Sequence, residues 1–559
     1  MVCNNCEHTF HQKCLKMHAN LYKEITTSGR DWTCPSCIPV EEDHSTNDSQ
    51  RGTLKWGTML GIDEINNEIE KIHLKITTWK KNIFQVPKGK AGNSFIAECT
   101  NLLKQINDKT KWEPVAMNQL IIFMPLMLQK PSRRSKRKDH AKYLLKRLEQ
   151  WKNGQLKDLM SEAEEIQKRM EPVFKRKESS HKRRFTQLML EGKVRQALRL
   201  VDANGDISGV HSVTPEIMRI LEEKHPPAAP LHPDAICNED MPKVEEVIFE
   251  SIDGKKVYDA CRNMDGSGGP TKIDSDLIKQ IVCSRVFGKL SEELADAIAL
   301  ATRRICTESI PNKYISLLLD NRLIPLIKDE VEVRPIGIGE ILRRLMGKCV
   351  AEVVGNDVQL AGGALQTCTG IEAGIEAAVH AMTRIFEDEK TEGVLLIDAL
   401  NAFNLLCRNN SLEYVKHRCP TMYRFLHNTY QSPSRLHLGD GSPTPLLSQE
   451  GVTQGDPLAM AMYAVSTRKM INTINQNYQN ISQVWFADDS AVGGLVADSA
   501  SVLDHLETDG PKDGYYPKPP KCKFIPTSKE NREKATIAFK GKEVKIVDGN
   551  RYLGGFLGT

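Results

Sequence analysis

Two adjacent acids, Asp488 and Asp489, stand at the join of two short apolar runs. Gln483-Val484-Trp485 leads into Phe486-Ala487-Asp488-Asp489, and Ser490-Ala491-Val492 follows. Apolar, turn and apolar in that order predict a strand–turn–strand hairpin. Asp-Asp is ordinary turn chemistry. Paired carboxylates on a tight hairpin also suit a site that clamps two divalent metals about 3.5–4 Å apart. The other segments decide between the two readings.

Gly393-Val394-Leu395-Leu396-Ile397 is a buried-strand pattern that ends in a single acid, Asp398. An acid at the end of a central strand can meet the hairpin and complete a metal site. Next comes Gln449-Glu450-Gly451-Val452-Thr453-Gln454-Gly455-Asp456-Pro457-Leu458. Its glycines permit close approach of backbone to a substrate, and Pro457 suits the opening of a helix over Leu458–Ile474. That helix is apolar on most faces and is expected to be packed.

With these segments in order, the chain resembles the reverse transcriptases of non-LTR retroelements. The Phe-Ala-Asp-Asp form is more similar to those enzymes than to retroviral ones. The resemblance covers about residues 265–559 and includes further segments. Ser267-Gly268-Gly269-Pro270 through Asp274 and Arg334-Pro335-Ile336-Gly337-Ile338 through Arg344 resemble fingers motifs. Pro520-Lys521-Cys522-Lys523-Phe524 and Arg551-Tyr552-Leu553-Gly554 resemble the last palm motifs.

The resemblance implies an α+β fold: right-hand polymerase fingers, then a palm of antiparallel sheet backed by helices. It implies RNA-directed DNA synthesis, with an RNA template, a DNA primer and dNTPs. Asp398, Asp488 and Asp489 are then the ligands of two magnesium ions, which hard oxygen donors suit. Arg334 and Arg344 are expected on the triphosphate, since guanidinium forks match phosphate oxygens. Either could instead pair with Glu332 or Glu340. Gln454 and Gly455 are expected at the nucleotide or template, although Gln454 could equally bond within its own loop. Lys523, or its neighbour Lys521, could supply a proton to the leaving group. Phe403 lies five residues after Asp398. A flat aromatic there can stack under the sugar and exclude a 2′-hydroxyl, or it can be a core residue. The family's acid after that aromatic is replaced by Asn404. The few residues after Gly554 leave no room for a thumb, so the chain reads as cut short.

The amino terminus carries a separate signal. Cys3-x2-Cys6, His11-x2-Cys14 and Trp32-x-Cys34-Pro-x-Cys37 are three ligand pairs at zinc spacing. They resemble a PHD finger, in which alternate pairs share a zinc. On that pattern Cys3, Cys6, Cys34 and Cys37 complete one site. His11 and Cys14 are half of a second, whose first pair would precede Met1. A single zinc on Cys3, Cys6, His11 and Cys14 is the alternative. PHD fingers often bind histone tails, and the resemblance suggests that partner.

Charge is uneven. Lys130 to Arg199 holds 22 Lys/Arg against 9 Asp/Glu, an excess larger than the whole chain's net +4. Such a block is the footprint of a phosphate-backbone partner or a solvated helix face. Arg133-Arg134-Ser135-Lys136-Arg137-Lys138 and His181-Lys182-Arg183-Arg184 also suit nuclear import. Outside the finger the cysteines form no paired framework, which fits a reducing compartment, with the nucleus favoured. The most apolar stretch, Leu120–Leu128, contains Pro125 and is shorter than the roughly 20 residues of a membrane span.

The expected organisation is a partial finger at 1–38, a linker and helical segment at 39–110, and a basic helical region at 111–225. A second linker follows at 226–264, then fingers at 265–390 and palm at 391–559. Within the basic region Leu145, Leu148, Leu156, Leu159, Ala163, Ile166 and Met170 outline an apolar stripe on a helix pair interrupted near Asn153-Gly154. The rival function is a retroelement-derived chromatin or nucleic-acid binding module whose palm is scaffold.

Overall fold

The computed structural model describes residues 61–106, 115–132, 135–170, 178–190, 209–327, 332–439 and 444–558, with isolated positions between 192 and 198. The expected zinc ligands Cys3, Cys6, His11, Cys14, Cys34 and Cys37 lie outside the described residues. So do residues 133–134 of the first basic run.

The amino-terminal part is a helical layer: α1 (Ile62–Thr78), α2 (Lys90–Ile106), α3 (Ala116–Met127), α4 (Arg137–Lys152) and α5 (Leu156–Lys168). The apolar stretch around Leu120 is α3, buried along its length. Its side chains meet those of α2 and α4; Phe123 stacks on Phe95 at 5.3 Å and touches Trp151 at 5.0 Å. Among the described residues no helix is long and apolar enough to cross a membrane. Gly154, at φ 71°, makes the left-handed turn between α4 and α5. The stripe on this pair needs one correction. Leu145 is 37% exposed and Leu144 is fully buried, so the core side of α4 is shifted by one residue.

Two sheets follow. The first has the order β2-β1-β4-β5. It is built from β1 (Asn321–Ile327), β2 (Val333–Gly339) and, after β3 (Gly393–Ile397), from β4 (Ser434–Leu438) and β5 (Leu446–Ser448). β1 and β2 form an antiparallel pair, and β4 joins β1 in parallel. The second sheet has the order β6-β7-β3-β8-β9, with β6 (Ser482–Phe486), β7 (Asp489–Gly494), β8 (Lys523–Pro526) and β9 (Lys545–Ile546). It is antiparallel except where β9 meets β8.

β3 is central and buried throughout because both faces of this sheet are covered. Leu395, Ile397, Trp485, Val492 and Phe524 share a core with Met470, Ile471 and Ile474, and with Val502, Leu503 and Leu506. Those two sets come from helices Ala459–Asn477 and Val496–Asp509. On the opposite face Val394, Leu396, Val484, Ala491 and Ile525 pack with Ala378 and Met382 of helix Gly374–Phe386. Tyr552 and Leu557 of the hairpin β10 (Gly549–Tyr552) and β11 (Gly555–Gly558) close that side. A strand buried on both faces is apolar at every position, which is why 394–397 lacks alternation. The expected helix after Pro457 is Ala459–Asn477, with most of its residues buried. The architecture is α+β.

Candidate active site

Asp398 follows the last residue of β3 and Asp489 opens β7. The β3–β7 register ends at Ile397 opposite Ser490, so the next step sets Asp398 opposite Asp489. Asp488 precedes Asp489 in the two-residue turn between β6 and β7. Ala487, the other turn residue, is buried with φ 54°, a left-handed conformation that costs an alanine about 1 kcal/mol or more. The buried Gln366 side chain holds it: its Oε1 accepts from Ala487 N at 2.8 Å, and its Nε2 donates to Ala487 O at 3.4 Å.

The three acids line one cleft of about 700 Å³. Its wall also carries Phe403, Gln454, Gly455 and Arg334. Partial burial, then the charges of Asp488 and Asp398, push the Asp489 carboxyl up to about 6. Asp489 still has surface open to the solvent of the cleft. Asp488 and Asp398 carry like charge beside it, so the three acids repel one another across the cleft.

Phe403 is half-buried, with its ring 4.9 Å from that of Tyr463. It packs on a core tyrosine and also lines the cleft. Gly455 is exposed at φ 108° in the cleft wall. Gly451 has a different reason to be glycine. At φ 66°, a Cβ there would come within 2.2 Å of Phe403 O, so the close approach is to the chain's own backbone. Arg334 is exposed on β2. Glu332, one of its expected partners, instead pairs with Lys521 at 2.8 Å and Lys518 at 3.4 Å.

Two expected nucleotide contacts fall outside this cleft. Arg344 donates to Ser267 O at 2.8 Å and Asp265 O at 2.9 Å, anchoring the loop before Gly268-Gly269. Lys523 donates to Asn550 Oδ1 at 2.7 Å and ties β8 to the β10–β11 hairpin. Asn404 is buried, donates to Lys224 O at 3.3 Å and does not line the cleft.

Several site-forming residues carried no sequence signal. Lys224 joins the cleft wall from the end of the region expected at 111–225, where it caps helix Pro215–Glu223. Arg408 is buried and holds the loop before Gln454: it donates to Ser448 O, Glu450 O and Gly451 O at 2.9–3.0 Å. Its guanidinium also lies over the Tyr430 ring. Arg343, also buried, pairs with Asp456 at 3.3 Å. Neither a protein-family model nor a curated protein matches this sequence.

Proposed function

We propose that this chain is the fingers-and-palm part of an RNA-directed DNA polymerase of the non-LTR retroelement type. One observation carries the reading. Asp398 and the Asp488–Asp489 pair, ninety residues apart in sequence, converge on a cleft that also holds Phe403, Gln454, Gly455 and Arg334.

The cleft fits magnesium. Its acids are oxygen donors, and burial together with the neighbouring Asp488 and Asp398 charges raises the Asp489 carboxyl, which a bound cation would oppose. Magnesium, when bound, supplies the Lewis-acid charge that activates a primer 3′-hydroxyl and neutralises the leaving pyrophosphate. Asp398, Asp488 and Asp489 hold that charge at fixed positions. Phe403 gives the sugar a flat surface with no acceptor for a 2′-hydroxyl. Arg334 offers a guanidinium to the triphosphate. Gln454 and Gly455 present an amide and bare backbone to the base or template. The RNA template and DNA primer belong to the same proposal, as do zinc on the amino-terminal Cys/His pairs, a histone-tail partner and a nuclear location.

Primer extension on an RNA template, with magnesium and either dNTPs or rNTPs, tests it. Extension with dNTPs that Asp488→Asn abolishes is the expected result. Absence of extension by the wild-type chain, where a reference reverse transcriptase extends the same primer, overturns the reading.

A further inference from the structure

Three polar side chains far from the cleft meet in the core where the amino-terminal helices cover the first sheet. His73 comes from α1, Asp320 immediately precedes β1, and His437 lies on β4. Each is at most 5% exposed. One ligating atom from each lies within 4.8 Å of the other two. His437 Nε2 is 2.8 Å from Asp320 Oδ2, and His73 Nδ1 is 3.5 Å from the same oxygen.

The anomaly is His73. Among the described residues neither ring nitrogen has a hydrogen-bond partner, although the side chain is fully buried. A buried polar group left unsatisfied costs about 1–3 kcal/mol. An apolar side chain would fill the same space without that cost. The imidazole is therefore explained by something that accepts its lone pair.

We infer that His73, Asp320 and His437 form a structural site for a divalent transition-metal ion of the zinc class, stapling α1 to the first sheet. Two imidazoles and one carboxylate are a familiar zinc donor set. Nitrogen donors favour such an ion over magnesium, so the site is distinct in kind from the acid cluster of the cleft. His437 and Arg435 both contact the Asp320 carboxylate. Arg435 Nε bonds both carboxylate oxygens, at 2.9 and 3.1 Å. That fixes the carboxylate as a partner outside the ligand set does. Glu70, 3.8 Å from Arg435, returns a negative charge to the surroundings. The three ligands come from segments distant in sequence and are buried, so the ion is taken up as these segments assemble. Its binding energy then becomes stability.

The test uses the full chain, freed of metal by chelator and refolded with Zn²⁺ or Co²⁺. Elemental analysis is expected to find about one more zinc ion per chain in wild type than in His73→Leu or His437→Asn. Added Zn²⁺ is expected to raise the melting temperature of wild type and not of the variants. Cobalt distinguishes this site from the amino-terminal cysteines, because nitrogen and oxygen ligands give visible bands without thiolate charge transfer. That spectrum is read on wild type alone and holds even if a variant fails to fold. Equal metal content in wild type and variants, or a purely thiolate cobalt spectrum in wild type, overturns the proposal.

Discussion

Arg343 and Asp456 form an ion pair at 3.3 Å with both side chains almost fully out of solvent. The pair joins helix Ile341–Gly362 to the loop that carries Gln454 and Gly455. Arg343 also donates to Leu319 O and Asn321 Oδ1, both at 3.0 Å, so one guanidinium ties this loop to the start of β1. Asp456 Oδ1 accepts from Leu458 N at 2.9 Å as the following helix begins. Arg343→Met leaves the Asp456 charge buried without its partner, which costs about 3–5 kcal/mol. Urea unfolding should show that loss. An unchanged midpoint would mean the pair contributes nothing to the loop's position.

Phe403 tests sugar selection. Its ring rests on Tyr463 and lines the cleft. Phe403→Val keeps an apolar residue there but removes the flat surface. Discrimination against rNTPs should fall roughly 10–200-fold, the range set by removing bulk from an apolar pocket. The measurement is kcat/KM for a matched dNTP and rNTP pair. A ratio that does not move assigns the residue to packing alone.

What was legible in the sequence was local. The run 394–397, the Asp488–Asp489 hairpin, the helix after Pro457 and the break at Gly154 each follow from periodicity or turn chemistry within a dozen residues. The choice between Leu144 and Leu145 was not legible, because two adjacent leucines satisfy a helical stripe almost equally. Long-range partners left no trace either. Nothing in the spacing tells Arg334, which faces the cleft, from Arg344, which anchors a loop. Gln366 under Ala487, Arg408 behind Glu450, and His437 against Asp320 are pairings over 42 to 121 residues. Only the folded chain brings such residues together.

The two arginines separate by experiment. Arg334→Ala removes a cation from the cleft wall and should raise KM for dNTP about tenfold or more, the worth of one charge-assisted hydrogen bond. Arg344→Ala should leave that KM nearly unchanged. It should lower stability by roughly 1–2 kcal/mol, because the carbonyls of Asp265 and Ser267 lose their donor. Steady-state kinetics beside thermal unfolding checks both. The opposite pattern would return Arg344 to the nucleotide.

Glu340 gives the fold a pH dependence with a defined sign. It is fully buried at the end of β2, and burial pushes its carboxyl up to about 7. Thr271 bonds it through N at 2.9 Å and Oγ1 at 2.8 Å, which opposes the rise without cancelling it. Lys272, whose Nζ donates to Thr77 O, is held down at about 8 by burial. Between an unfolded carboxyl near 4.5 and the folded value near 7, the native state binds the extra proton. This contribution is therefore fully present below about pH 4.5 and lost as pH rises to 7, on the order of 3 kcal/mol in all. The Lys272 window lies above 8 and does not overlap it. Glu340→Gln keeps a neutral side chain of the same shape and an acceptor for Thr271 N. Unfolding free energies at intervals from pH 5 to 7.5 should fall less steeply in the variant, with the largest gain over wild type at the alkaline end. Parallel curves would mean that Glu340 ionises without cost, through solvent or a cation reaching it.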